Sequence, residues 1–135
     1  MSHIYHRLYY HLIWATKNRD NILDNILGDI IKKFLKSKII KLGGKLLEFN
    51  TNGDHCHLLI QSIPQLSISD LAGDLKGYSA YEINKIKGIK FLKWQQGFGV
   101  LTLSSKSVPF VRKYILDQKE HHKNKTTINI LENVV

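Results

Sequence analysis

The stretch KLLEFNTNGDHCHLLIQ, residues 45–61, contains the strongest indication of the fold. Two short strand-like runs, residues 45–51 and 55–61, flank the turn signal NGD. An Asn-Gly pair between such runs is typical of a tight β-hairpin, and Pro64 follows closely enough to end the second strand. The stretch therefore predicts two antiparallel strands joined by a turn.

The residues before this hairpin predict a strand followed by a helix. Residues 7–16, RLYYHLIWAT, alternate between two faces that are both largely apolar, as in a central strand covered on both sides. Residues 17–25 are polar and loop-like. Residues 26–42 carry apolar side chains at helical spacing, and Gly43-Gly44 is a typical helix end.

The residues after the hairpin predict helix, strand and helix. Ser67 and Asp70 form a capping-box pattern before an apolar stripe that runs to Ile86. Residues 98–103 are typical of a strand. A last helix, capped by Ser105 or Ser107, carries a stripe from Val108 to Gln118.

The resulting order, β-α-β-β-α-β-α, predicts a ferredoxin-like or RRM-like α+β sandwich. Its antiparallel sheet has helices on one face, a second face free for function, and an added C-terminal helix. We expect one domain over residues 1–135, in which residues from about 119 to 135 form a polar, basic tail.

Composition favours a polyanionic partner. The formal net charge is +9, and only three of the 20 basic residues are arginine, which favours contacts with phosphates over reading of base edges. The charge is explained equally well by a genome rich in A and T, which favours lysine codons and yields lysines that merely solvate the surface. The single cysteine excludes a disulfide framework. No apolar run resembles a membrane span or a signal peptide, so we expect a cytoplasmic protein, associated with the nucleoid in use.

His55-Cys56-His57 is the sharpest chemical motif. Because side chains alternate along a strand, the two imidazoles share one face, about 6.5–7 Å apart at Cα, while Cys56 points the other way. Such a pair, expected at a sheet edge, can chelate one divalent ion. Two exposed histidines of a basic protein are the alternative, and for an isolated His-x-His the more common one.

Tyr114 and Gln118 are four residues apart and share one face of the last helix. A glutamine oxygen could complete a His/His/Gln metal site, with the tyrosine about one helical turn from the ion. Tyrosine attack on a phosphodiester leaves a phosphotyrosine ester and a free hydroxyl, which retains the bond energy for rejoining. The alternative is an ordinary amphipathic helix beside a surface glutamine.

Several segments, in order, resemble the single-tyrosine HUH transposases of insertion sequences that move as single-stranded DNA (TnpA-like, IS200-like). The similarity covers nearly the whole chain. It includes the segments HLIWATKNR at residues 11–19, LGGKLLEFN at 42–50, GDHCHLLIQSIPQLSISDLAGDLKG at 53–77, WQQGFGVLTLS at 94–104 and VRKYILDQKEHH at 111–122.

The resemblance implies that His55, His57 and Gln118 bind Mg²⁺ or Mn²⁺ and that Tyr114 is the nucleophile, taking a 5′-phosphate and releasing a 3′-hydroxyl. It also implies hairpin-bearing single-stranded DNA as substrate and a homodimer in which the tyrosine helix can complete the partner's site. Five basic residues are candidate phosphate contacts, although each alone is more commonly a solvent-facing charge: Lys17, Arg19, Lys76, Arg112 and Lys113.

Two other functions fit the same residues. One is a domesticated nickase that processes repeated palindromes with the same chemistry. The other is a non-catalytic, RRM-like regulator that binds single-stranded nucleic acid. The regulator predicts salt-sensitive binding without metal-dependent cleavage, so cleavage separates it from the transposase.

Overall fold

The computed structural model describes residues 3–118 together with Ile128, Leu131 and Glu132. Within them it confirms the predicted order of elements. In chain order these are β1 (Tyr9–Ala15), α1 (Asn25–Lys41), β2 (Lys45–Asn52), β3 (His55–Gln61), α2 (Ile68–Lys87), β4 (Gly99–Leu103) and α3 (Val108–Leu116). Short 3-10 turns at Lys17–Arg19 and Ser105–Ser107 follow β1 and precede α3.

The four strands form one antiparallel sheet in the order β2-β3-β1-β4. This is the ferredoxin-like arrangement that the sequence predicts. Strands β3 and β1 are the inner pair, so the His55/His57 motif lies on an inner strand, and the expectation of a sheet edge was wrong. An inner strand has a neighbour on each side, which holds its backbone more firmly than an edge would.

The β2-β3 hairpin forms as predicted. Gly53 has a φ of +69°, a left-handed conformation that glycine adopts without steric cost. The register pairs Asn50 with His57 and Asn52 with His55. The hairpin therefore places the first residues of β3, including both histidines, directly beside the end of β2.

The two faces of the sheet are covered by different helices. The main core, which includes Leu12, Trp14, Cys56 and Leu58, packs against residues of α1 and α2. On the opposite face, Leu59 packs with two residues of α3, Val111 and Ile115. The second face is thus not free over β2 and β3, because α3 lies on it.

One of the two predicted serine caps forms and the other does not. Ser67 Oγ accepts from the Asp70 backbone N–H at 3.1 Å and caps α2 as predicted, whereas the cap of α1, Asp24, was not predicted. The serine cap predicted for α3 was wrong. Ser105 lies within the 3-10 turn, and Ser107 has helical backbone angles (φ −82°, ψ −16°), whereas a capping residue needs an extended backbone.

The last predicted helix is shorter than expected. Helix α3 ends at Leu116, Asp117 is a turn residue, and Gln118 is again helical. The tail predicted from about residue 119 lies outside the described residues, except for Ile128, Leu131 and Glu132. None of the helices described is both long and apolar enough to cross a membrane.

Candidate active site

The imidazoles of His55 and His57 direct their Nε2 atoms into one space on the α3 side of the sheet. Each Nδ1 is held by another side chain: His55 Nδ1 lies 2.8 Å from Asp54 Oδ1, and His57 Nδ1 lies 2.9 Å from His11 Nε2. Metal-binding histidines typically have this arrangement, in which a partner on one nitrogen leaves the other oriented for the ion. Cys56 is buried on the opposite face, as predicted.

His11 belongs to the candidate site, although no sequence pattern indicated it. Its ring lies in β1, is fully buried and stacks on His57 with the ring centroids 5.1 Å apart. Burial and the neighbouring His57 lower the pKa of His11 to about 3. His11 is therefore neutral at physiological pH, and its Nε2 can accept the Nδ1 proton that His57 carries when Nε2 is the ligand atom.

Asp54 links His55 to a basic loop. Its second oxygen, Oδ2, lies 3.2 Å from Arg19 Nε, in the 3-10 turn after β1. Burial alone lowers the pKa of His55, but hydrogen bonds to Glu132 and Asp54 raise it by more, and the net shift is upward. The site therefore favours positive charge at His55, as it would favour a bound cation.

Tyr114 reaches the same space from α3. Its ring centroid lies 6.2 Å from that of His57, and the side chain is buried. The hydroxyl donates to Glu132 Oε2 and accepts from the Ile128 backbone N–H at 3.0 Å. Burial and the Glu132 carboxylate raise the pKa of Tyr114 above its ordinary value, so the phenol is protonated at neutral pH.

Gln118 lies against His55. Its Nε2 is 3.2 Å from His55 Nε2 and 3.4 Å from Glu132 Oε1. Its Oε1 is buried and has no hydrogen-bond partner within the described part of the chain. Rotating the amide by 180° exchanges the two atoms, which points the oxygen toward His55 and the shared space. The orphaned oxygen and the two imidazoles fit a divalent ion.

Glu132 completes the cluster, and no sequence signal indicated it. Its Oε1 lies 3.0 Å from His57 Nε2 and 3.4 Å from His55 Nε2. One ligand atom from each of His55, His57 and Glu132 lies within 4.8 Å of the other two. Burial raises the pKa of Glu132, but hydrogen bonds with His55, His57 and Tyr114 outweigh it and leave that pKa well below its usual range.

Asn50 anchors α3 over the histidines. Its Nδ2 donates to the backbone carbonyls of Ile115 and Leu116, at 3.1 and 3.2 Å. Carbonyls at the end of a helix lack partners within the helix, so a side-chain donor there fixes the position of the helix. Since Asn50 pairs with His57 across the hairpin, this contact sets Tyr114 relative to the imidazoles.

The five candidate phosphate contacts are distributed over the molecule. Lys17 and Arg19 line a cleft of about 620 Å³ together with Lys93 and Trp94, and Arg19 connects this cleft to the site through Asp54. Three others have protein partners: Lys76 donates to the Gln95 and Gly97 carbonyls, Arg112 pairs with Glu48, and Lys113 pairs with Asp117. The cleft is therefore the basic surface that adjoins the histidines.

Comparison with known proteins gives a consistent result. The family model described as "Transposase IS200 like" matches residues 4–118. The chain is 30% identical over 123 residues to the ISDra2 transposase TnpA of Deinococcus radiodurans, covering 85% of this chain and 86% of that one. It is 29% identical over 124 residues to the transposase for insertion sequence element IS200 of Salmonella typhimurium, covering 84% and 78%.

Two solved structures share the fold. A crystal structure described as a transposase from Deinococcus radiodurans R1 superposes with a TM-score of 0.69 at 30% identity, covering 87% of this chain and 95% of that one. A REP-associated tyrosine transposase bound to a REP hairpin gives a TM-score of 0.63 at 13% identity, covering 90% and 74%. Both confirm the predicted α+β architecture.

Proposed function

This chain belongs to the IS200-like transposase family, and from that premise we propose that it nicks and rejoins single-stranded DNA through a covalent phosphotyrosine. The residues that would carry the reaction are Tyr114, His55, His57 and Gln118. The observation on which the proposal mainly rests is the convergence of the Tyr114 ring and both imidazoles on one face of the sheet.

His55, His57 and Gln118 would hold one divalent ion, Mg²⁺ or Mn²⁺. Their supporting contacts fit this role, since Asp54 and His11 hold the far nitrogen of each imidazole. Nitrogen ligands suit Mn²⁺ better than Mg²⁺, which prefers oxygen. The chemistry that such an ion supplies is polarisation of a phosphodiester oxygen and orientation of the phosphorus for in-line attack.

Tyr114 would be the nucleophile. Its Oη forms a bond to phosphorus while the bond from phosphorus to the 3′-oxygen breaks, and overall the phenolic proton moves to the released 3′-hydroxyl. The 5′-phosphate stays on the protein as a phosphotyrosine ester. Attack by a 3′-hydroxyl on that ester reverses the exchange and restores a phosphodiester without ATP.

The proposed substrate is a DNA single strand with hairpin ends. The net charge of +9 supports a polyanionic partner, and the cleft beside Arg19 offers Lys17 and Lys93 to phosphates and Trp94 to a base. We assign Lys76, Arg112 and Lys113 weaker phosphate contacts, because each already has a protein partner. We propose a homodimer that acts in the cytoplasm, on DNA of the nucleoid.

The test is to trap the covalent adduct. The purified protein is incubated with Mn²⁺ and single-stranded oligonucleotides that carry the DNA ends flanking its gene, labelled on the 3′ side of the cleavage point. We expect labelled protein in a denaturing gel, lost with EDTA or in Tyr114→Phe. Tyr81→Phe is the matched control, because Tyr81 is an exposed tyrosine on α2.

Two outcomes would contradict the proposal. An adduct that persists in Tyr114→Phe moves the nucleophile to another tyrosine. Salt-sensitive binding of the hairpin with neither adduct nor cleavage, under any divalent ion, favours the non-catalytic regulator instead.

A further inference from the structure

Glu132 brings a carboxylate to the residues of the proposed active site. The family model matches residues 4–118, so Glu132 lies beyond the matched part. Nevertheless the Glu132 side chain is largely buried, with 13% of it exposed, and it contacts His55, His57, Tyr114 and Gln118. A residue that touches all four proposed site residues is placed to take part in their chemistry.

We infer that Glu132 is a further ligand of the divalent ion and that its second carboxylate oxygen positions the Tyr114 hydroxyl beside that ion. This inference rests on the proposed function, which assigns the ion to His55, His57 and Gln118. Glu132 adds an anionic oxygen to a set of neutral donors, and this oxygen comes from beyond the residues that the family model matches.

The distances between donor atoms have the size expected for ligands of a single ion. With metal–ligand distances of about 2.1 Å, neighbouring donors are separated by about 3.0 Å in an octahedron and about 3.4 Å in a tetrahedron. Glu132 Oε1 lies 3.0 Å from His57 Nε2, 3.4 Å from His55 Nε2 and 3.4 Å from the Gln118 amide. The Gln118 amide lies 3.2 Å from His55 Nε2.

The chemistry of the donor set supports the same conclusion. Two imidazoles and one amide carry no negative charge, so a divalent ion among them keeps its full charge in a buried place, which is costly. A carboxylate offsets part of that charge and is the oxygen ligand that Mg²⁺ and Mn²⁺ favour.

The other carboxylate oxygen explains how the phenol is held. Tyr114 donates its hydroxyl hydrogen to Glu132 Oε2, while the Ile128 backbone N–H donates to the same hydroxyl. Ile128 and Glu132 therefore each contact the Tyr114 hydroxyl. One carboxylate thus connects the Tyr114 oxygen to the ligand cluster, which makes Glu132 a positioning residue for the nucleophile as well as a ligand.

The test measures binding of Mn²⁺ alone to the full-length protein, without DNA, by the loss of the free-ion EPR signal. We expect Glu132→Gln to bind Mn²⁺ about 10–100-fold more weakly than the unaltered protein. Asp117→Asn removes the same charge from an exposed site near α3 and should change the dissociation constant less than about twofold. Glu132→Asp keeps the carboxylate and should recover part of the affinity, and circular dichroism checks that each variant is folded.

A second measurement reports coordination directly. The visible absorption of the Co²⁺-loaded protein should change in Glu132→Gln and not in Asp117→Asn, because loss of a ligand alters the geometry around the ion. Unchanged Mn²⁺ affinity and an unchanged Co²⁺ spectrum in Glu132→Gln would overturn the inference. Tighter Mn²⁺ binding would also overturn it, since the carboxylate would then compete with the ion.

The inference and the proposed function fail in different ways. If His57→Gln abolishes Mn²⁺ binding and Tyr114 forms the adduct, but Glu132→Gln binds Mn²⁺ normally, only the role of Glu132 is refuted. If the unaltered protein binds no Mn²⁺, both the inference and the metal site of the proposed function are refuted.

Discussion

His11 Nε2 lies 2.9 Å from His57 Nδ1, and both rings are completely buried in the sheet. The contact joins the two inner strands on the face that carries the proposed site. When His11 Nε2 is the acceptor of this hydrogen bond, His57 carries its proton on Nδ1 and its Nε2 is the ligand atom. The orientation of the His57 ring is thus set by His11 on the neighbouring strand β1.

The first prediction concerns this pair. His11→Leu removes the acceptor and should weaken Mn²⁺ binding about 10–100-fold, because the His57 ring is no longer held in the required orientation. His11→Gln keeps an acceptor and should lose less. Mn²⁺ titration followed by EPR measures both, with His3→Gln, at an exposed position, as the control. Equal affinity in His11→Leu and the unaltered protein would remove the positioning role.

The second prediction concerns the anchor of α3. Asn50→Ala leaves the Ile115 and Leu116 carbonyls without their side-chain donor and should lower the free energy of unfolding by about 0.5–1.5 kcal/mol. It should also slow adduct formation in the folded protein, since Tyr114 is then less firmly placed. Urea unfolding and a time course of the adduct measure the two effects.

A comparison variant makes the Asn50 test specific. Asn25→Ala removes the same side chain from an exposed position in the first turn of α1. Asn25→Ala should change neither the free energy of unfolding nor the rate of adduct formation appreciably. If Asn50→Ala behaves as Asn25→Ala does, the helix is held by its packing on Leu59 instead.

The contacts just described also show what the sequence can predict. Local patterns indicated the β2-β3 hairpin and the shared face of His55 and His57, because a turn and strand alternation are set by neighbouring residues. The orientation of the His57 ring depends on His11, which is 46 positions away, and on a strand register that no local pattern determines. The serine cap failed for a related reason: Ser107 holds the N-cap position of α3, but the 3-10 turn at Ser105–Ser107 gives it helical angles, and its side chain makes no capping hydrogen bond.

Glu132 is the clearest example of what could not be predicted. It lies 75 residues from His57 and belongs to no motif, yet its carboxylate is 3.0 Å from that ring. A single glutamate in a polar tail looks like any solvated charge until the chain is folded. By contrast, Tyr114 and Gln118 were found as a pair because helical spacing links them, and the structure brings both to the histidines.

The third prediction concerns the single cysteine. Cys56 is completely buried, so a reagent cannot reach its sulfur. Burial also raises the pKa of the thiol, which lowers the fraction present as the reactive thiolate. The folded protein should react with a thiol reagent such as DTNB at pH 8 at least about 100-fold more slowly than the protein unfolded in guanidinium. The absorbance of the coloured thiolate that DTNB releases follows the reaction. Rapid stoichiometric labelling of folded protein would contradict the orientation assigned to β3.

The last prediction is a pH dependence of stability that arises from His11. The pKa of His11 falls from 6.5 to about 3 on folding. Between these two values, His11 is protonated in the unfolded chain and neutral in the folded protein. His11 therefore contributes stability that is complete above pH 6.5 and is lost as the pH falls toward 3, by up to about 1.4 kcal/mol per pH unit. The pKa of His55 is raised on folding, so its contribution has the opposite sign, present below 6.5 and lost as the pH rises. Urea unfolding of the unaltered protein and of His11→Leu at pH 7, 6 and 5 tests this, and the free energy of unfolding of the unaltered protein minus that of His11→Leu should decrease as the pH falls. A difference that is constant across this range would mean that the folded protein protonates His11 as readily as the unfolded chain does.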